Sequence, residues 1–131
     1  LLSHKLTSIG GSSKYFIGSI VCYDNNIKKR ELNISQNNLD KYGAVSEEVV
    51  KDMAKNIRKK FNSSIGVATS GIAGPSGGTK NKPVGTVFIA YSDSKKTISK
   101  KLLLTRKRQL NNELSCLNIL NMIRLKLLNY I

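Results

Sequence analysis

A single run of small residues constrains this chain more than any other feature: Ser70-Gly71-Ile72-Ala73-Gly74-Pro75-Ser76-Gly77-Gly78-Thr79, closed by Lys82-Pro83-Val84-Gly85-Thr86. A short apolar stretch, Ile65 to Ala68, leads into it, and another, Thr86 to Tyr91, leads out. The fold must therefore place a long glycine-rich loop between two strands. Ordered loops of that length are usually functional. Glycines let the backbone approach a ligand closely and turn its N–H groups toward it. The loop predicts one wall of a small-molecule site, with an unstructured surface loop as the competing reading. Its spacing excludes the two common nucleotide signatures. There is no G-x-x-x-x-G-K-[ST], and glycines at 71, 74 and 77 do not make G-x-G-x-x-G.

The flanking sequence supplies the rest of a layered domain. Leu1 to Thr7 reads as part of a helix, with Leu2 and Leu6 at i, i+4 spacing, and Gly10-Gly11-Ser12-Ser13 breaks it. Tyr15 to Tyr23 is β-rich and predicts a strand, bent at Gly18-Ser19. Asp24-Asn25-Asn26 is turn chemistry that can cap a short helix carrying Lys28 to Glu31. Ser46 ahead of Glu47 and Glu48 predicts a helix start: a capping hydroxyl, then acids in the positive first turn. Val49, Met53, Ile57 and Phe61 form its buried stripe, and Arg58-Lys59-Lys60 suits its C-terminal end.

Ile65 to Thr69 and Val84 to Tyr91 predict strands. Ser92-Asp93-Ser94 predicts a turn, and Thr97 to Leu104 a further strand at hairpin spacing. From Arg108 to Tyr130, Leu110, Leu114, Leu117, Leu120 and Ile123 predict one apolar face of a long helix. The order predicts an α/β domain over residues 1–131, three layers α/β/α about a mixed, mainly parallel sheet.

Composition narrows the partners. The net charge is +14, which suggests an anionic partner. The 17 Lys, however, accompany 13 Asn and only 5 Arg, the mark of A-rich codons, and the basic residues are spread along the chain. Base composition is thus the favoured account of the charge, and a nucleic-acid partner is disfavoured. Cys22 and Cys116 lack metal-ligand spacing and lie in apolar surroundings, as free thiols of a reducing cytosol do. The one His, His4, cannot make a metal cluster alone, and zinc chemistry and a Ser-His-Asp triad are both poorly supported. No apolar run approaches the roughly 18–20 residues of a membrane span.

Several segments together resemble the CinA C-terminal domain family. Ser-Gly-Ile-Ala-Gly-Pro-Ser-Gly-Gly-Thr with Lys-Pro-Val-Gly-Thr-Val-Phe-Ile-Ala is similar to that family's signature. Leu6-Thr7-Ser8-Ile9 with Gly11-Ser12-Ser13 resembles its L-T-S-x-P-G-S-S, and Tyr23 to Lys28 its Y-S-N-E-A-K. Tyr42 to Val49 resembles its H-G-A-V-S-E-E-V. The match runs to about Tyr91 and weakens beyond Leu104.

The resemblance implies a nicotinamide mononucleotide deamidase (PncC-type) of bacterial pyridine-nucleotide salvage, cytoplasmic and needing neither metal nor organic cofactor. Homo-oligomerisation is left open. The implied nucleophile is Ser13 and the implied base Lys28, a pairing that activates a hydroxyl when the lysine is desolvated or close to other cations. Tyr23 would orient the lysine or the substrate. Ser70, in place of the family's threonine, with Gly71, Gly74, Gly77 and Gly78, would bind the substrate. An arginine at the start of the last helix would pair with the substrate phosphate; Arg108, in Arg-x-x-Asn, fits better than Arg106.

There are departures. Gly10 replaces a proline, Ser19 replaces a glycine, and the family's E-S-C-T-G-G segment, with its strand, is expected upstream of Leu1. The rival readings are a non-catalytic member of the fold and a competence-linked module that binds nucleic acid or protein.

Overall fold

The computed structural model describes residues 1–131. Five helices, a short 3₁₀ turn and three strands follow one another: α1 (Leu2–Thr7), the turn (Ser12–Lys14), α2 (Asn25–Leu32), α3 (Gln36–Tyr42), α4 (Glu47–Lys60), β1 (Gly66–Gly71), β2 (Thr86–Ser92), β3 (Thr97–Leu103) and α5 (Arg108–Leu127). The predicted caps are in place. The Asp24 carboxylate accepts from Asn26 N at 2.7 Å to start α2. Ser46 Oγ accepts from Val49 N at 3.3 Å to start α4. The helix α3 was not predicted, because Gln36-Asn37-Asn38-Leu39-Asp40-Lys41-Tyr42 has only Leu39 buried and no apolar period. Its start is the cap Ser35, whose Oγ accepts from Asn38 N at 3.0 Å.

The sheet has the order β1-β2-β3 and both pairings are antiparallel. This corrects the expected mainly parallel sheet. Parallel neighbours need a long crossover, usually a helix. Here the glycine loop returns the chain directly from β1 to β2, and a tight turn at Asp93 joins β2 to β3. Register sets Ala68 opposite Ala90 and Ala90 opposite Ser99.

β2 is buried along nearly its whole length because both faces are covered. Ala68 and Ala90 face a core with Leu32, Ile34, Leu39, Val49, Val50, Met53 and Ala54, from α2, α3 and α4. Val87, Ile89, Tyr91 and Leu102 face a second core with Ile119 and Met122 of α5. The three-layer α/β/α arrangement follows from those two cores.

Two further expectations change. The segment Tyr15 to Tyr23 belongs to no strand, and residues 17–23 make no backbone–backbone hydrogen bond. It still alternates: Ile20 and Cys22 pack on the α4-side core, while Ile17 and Val21 are exposed. The face of α5 also differs. Leu110 and Leu117 are exposed, and the buried residues are Asn111, Ser115, Cys116, Ile119 and Met122. The buried phase therefore begins with two polar residues, Asn111 and Ser115.

Candidate active site

The glycine loop is an ordered structure. At its base, Ile72 N donates to Thr86 O at 2.9 Å and Gly85 N to Ile72 O at 2.8 Å. At its tip, Thr79 N donates to Lys82 O and Lys82 N to Thr79 Oγ1. The loop folds back on the Pro83-Val84 arm so closely that a Cβ at Gly78 would lie 2.6 Å from Val84 N. Gly74 is buried with φ +89°, a backbone conformation that favours glycine.

Four side-chain bonds tie the loop to its surroundings. On one side, Ser70 Oγ donates to Ala44 O at 2.7 Å and Lys82 Nζ to Tyr42 O at 2.6 Å. On the other, Asn111 Nδ2 donates to Ala73 O at 2.9 Å and Arg108 Nη1 to Gly74 O at 3.0 Å. The loop's own donors are not used up. The N–H groups of Ala73, Gly74, Ser76, Gly77 and Gly78 meet no acceptor within the chain. A row of unpaired N–H groups on a folded loop is the chemistry of an anion-binding nest.

Tyr23 stands at the centre of a connected chain of predicted site residues. Its hydroxyl accepts from Arg108 Nη2 at 3.2 Å, and its carbonyl accepts from Lys28 Nζ at 3.2 Å. Lys28 lies on α2 and is only 6% exposed; it makes no salt bridge with any carboxylate. Lys28, Tyr23, Arg108 and Gly74 thus form one hydrogen-bonded path across three distant parts of the sequence. Of the two candidate arginines, Arg108 is the one whose guanidinium reaches the loop.

Ser13 stands apart from this path. It sits in the exposed 3₁₀ turn, its hydroxyl makes no hydrogen bond, and none joins it to Lys28. It lines a cleft of about 410 Å³ with Tyr15, Ile17, Ser63 and Ile65. Cys22 precedes Tyr23 and packs on the α4-side core, where burial pushes its thiol upward, with Lys28 opposing the shift. A raised thiol stays protonated at neutral pH, so Cys22 is a poor nucleophile.

Two residues of the site were not predicted. Lys82 had been read only as part of the closing motif. Asn111 appeared only as the partner residue in Arg-x-x-Asn. The signal for Asn111 was available in principle: a polar residue one turn after Arg108, on a helix whose apolar spacing admits more than one buried face.

Fold and site together define a three-layer α/β domain with a basic, glycine-loop site suited to an anionic small molecule. Comparison with known proteins bears on the fold and the family. A family profile described as the CinA C-terminal domain matches residues 1–127. The chain is 53% identical over 126 residues to a CinA-like protein of Cytophaga hutchinsonii, covering 96% of this chain and 30% of that protein. It is 43% identical over 114 residues to a CinA-like protein of Salinibacter ruber, covering 87% of this chain and 28% of that one. The chain therefore spans under a third of the length of these relatives.

Among solved structures, the competence/damage inducible protein CihA from Agrobacterium tumefaciens superposes with a TM-score of 0.91 at 29% identity, covering 93% of this chain and 75% of that one. A CinA superfamily protein from Enterobacter cloacae gives 0.91 at 30% identity, covering 96% and 75%. The chain belongs to the CinA C-terminal domain family. No helix in it is long and apolar enough to cross a membrane.

Proposed function

We propose that this domain is an amidohydrolase that converts nicotinamide mononucleotide to nicotinate mononucleotide and ammonia. The observation that carries the reading is the glycine loop with its free N–H donors, joined through Arg108 and Tyr23 to the buried Lys28. The loop donors and Arg108 bind the ribose phosphate; a guanidinium and several backbone N–H groups match a phosphate dianion in charge and geometry. The Ser13 hydroxyl attacks the carboxamide carbon and Lys28 accepts its proton. Collapse of the tetrahedral intermediate breaks the C–N bond, and Lys28 returns the proton to the departing ammonia. Water then hydrolyses the acyl-enzyme, freeing Ser13 and the nicotinate product.

One observation favours a second reading, a binding domain without catalysis: Ser13 and Lys28 share no hydrogen bond. A single assay separates the two. The chain, extended upstream to include the E-S-C-T-G-G segment, is incubated with nicotinamide mononucleotide and ammonia is followed in wild type, Ser13→Ala and Lys28→Ala. The hydrolytic reading expects release from wild type and loss of at least about a thousandfold in either variant, the scale of removing a nucleophile or its base. Binding of the nucleotide without ammonia release supports the second reading. Undiminished release from Ser13→Ala overturns the assigned nucleophile.

A further inference from the structure

Asn111 is the most completely bonded side chain at the site. It is 1% exposed. Its Nδ2 donates to Ala73 O at 2.9 Å and to Thr105 O at 2.8 Å. Its Oδ1 accepts from Thr105 N and from Thr105 Oγ1, both at 2.8 Å. An asparagine amide has two N–H donors and an oxygen with two lone pairs, and all four are in use. Three of the four hold the Thr105 turn at the start of α5. The fourth, a single N–H, reaches 38 residues back along the chain to the glycine loop.

That contact has a directional consequence. The Ala73–Gly74 peptide is trans, since the one cis bond is Gly74–Pro75. In a trans peptide the C=O and the following N–H point in opposite directions. Holding Ala73 O toward α5 therefore aims Gly74 N–H away from it. Arg108 holds the next carbonyl, Gly74 O, so two consecutive carbonyls are drawn to the first turn of α5. Pro75 has no N–H, and the donors of Gly74, Ser76, Gly77 and Gly78 are left for a ligand.

We propose that Asn111 is a positioning residue: by holding the Ala73 carbonyl against α5 it aims the Gly74 N–H, and sets the loop that carries the other free donors, toward an anionic oxygen ligand. The nucleotide named above is one source of that oxygen, and only the kinetic arm of the test rests on that reading.

The first arm uses inorganic phosphate as the probe. It is titrated into the ¹⁵N-labelled chain, extended upstream as above, in wild type, Asn111→Asp and Asn111→Ser. Asn111→Asp keeps acceptors for Thr105 and loses both donors. Asn111→Ser is the smaller, neutral change should the buried charge prevent folding. The expected result is saturable shifts of the Gly74, Gly77 and Gly78 amides in wild type. In a folded variant whose β2 and α5 amides are unmoved, phosphate binds about five- to tenfold more weakly, the effect of one lost hydrogen bond on each aimed donor. Wild-type affinity and shifts in both variants overturn the proposal. So does a wild type whose loop amides ignore phosphate.

The second arm measures deamidation, where Asn111→Ser should raise KM by about the same factor and leave kcat within about twofold. A fall in kcat at unchanged KM overturns the positioning role. If wild type releases no ammonia, the deamidase reading falls and the phosphate arm alone decides Asn111.

Discussion

A methyl group at Gly74 meets two obstacles at once. The residue has φ +89°, where an L side chain costs on the order of 1–2 kcal/mol. The added Cβ would lie 2.5 Å from Val84 Cγ1 and 3.3 Å from Arg106 O. Gly74 is buried, and Val84 belongs to the arm that closes the loop, so relief requires moving that arm. Overpacking of this kind costs roughly 1–3 kcal/mol. Less the roughly 0.4–1 kcal/mol gained through the unfolded chain, Gly74→Ala is expected to destabilise the domain by about 2–4 kcal/mol, a large share of the ~5–15 kcal/mol that holds such domains together.

The assay is equilibrium urea unfolding followed by circular dichroism. With a slope of about 2 kcal/mol/M, the midpoint should fall by about 1–2 M. Gly10→Ala is the internal control. A Cβ there meets nothing within 4 Å, and Gly10 is not among the positive-φ glycines. The same substitution should there be neutral or stabilising by up to about 1 kcal/mol through the unfolded chain. Opposite signs at the two sites are the signature of a folded-in loop. A loss below about 0.5 kcal/mol at Gly74 would show that the loop yields freely and would refute the reasoning.

Two other perturbations test how the site's scaffold is held. Ser46→Ala removes a buried cap whose Oγ accepts from Val49 N and donates to Gly43 O at 2.8 Å, so α4 should lose about 1–2 kcal/mol in the same urea assay. The Glu31 carboxyl is held below the usual carboxylate range by hydrogen bonds from Arg30 and then Lys60. A group lowered on folding contributes stability above its unfolded pKa and loses it as pH falls through the folded one. Wild type should therefore exceed Glu31→Gln at neutral pH, with the difference closing as pH falls below the ordinary carboxylate range; a difference independent of pH contradicts the linkage.

Local chemistry was legible in this sequence, and long-range direction was not. Asp24 and Ser46 announced their helices because a cap is a contact between residues two or three apart. The strand pair around the glycine loop was visible as apolar runs, but whether β1 and β2 run parallel depends on how the loop returns, which no residue in it encodes. The face of α5 was misread for a related reason. Leu110, Leu117, Ile119 and Met122 offer more than one apolar phase, and packing on Val87, Ile89 and Leu102 chose the one that buries Asn111. Arg108, Tyr23 and Gly74 were each singled out by resemblance to a family motif. That the three touch is a property of the tertiary fold.

The bonding of the site is uneven, and the unevenness bears on how it could work. The loop wall is fixed on both sides: Ser70 and Lys82 hold it to the turn before α4 and the end of α3, and Asn111 and Arg108 hold it to α5. Tyr23 and Lys28 are drawn into the same network. Ser13 has no such support. The segment that joins it to Tyr23 makes no ladder bonds over residues 17–23; side-chain burial, a Ser3–Ser19 hydroxyl bond and the bonds to Tyr23 keep it in line. Segments with few backbone bonds open at the low end of a protein's range of free energies. Under the proposed function, recognition of the anion would therefore rest on the more fully bonded half of the site. In the proposed hydrolysis, bringing the Ser13 hydroxyl to the lysine would fall to the half whose backbone still has unused donors and acceptors. A strand laid along that segment would satisfy those groups and fix Ser13 through the backbone, which is why the catalytic reading is tested in the extended chain and the loop geometry can be tested by mutation alone.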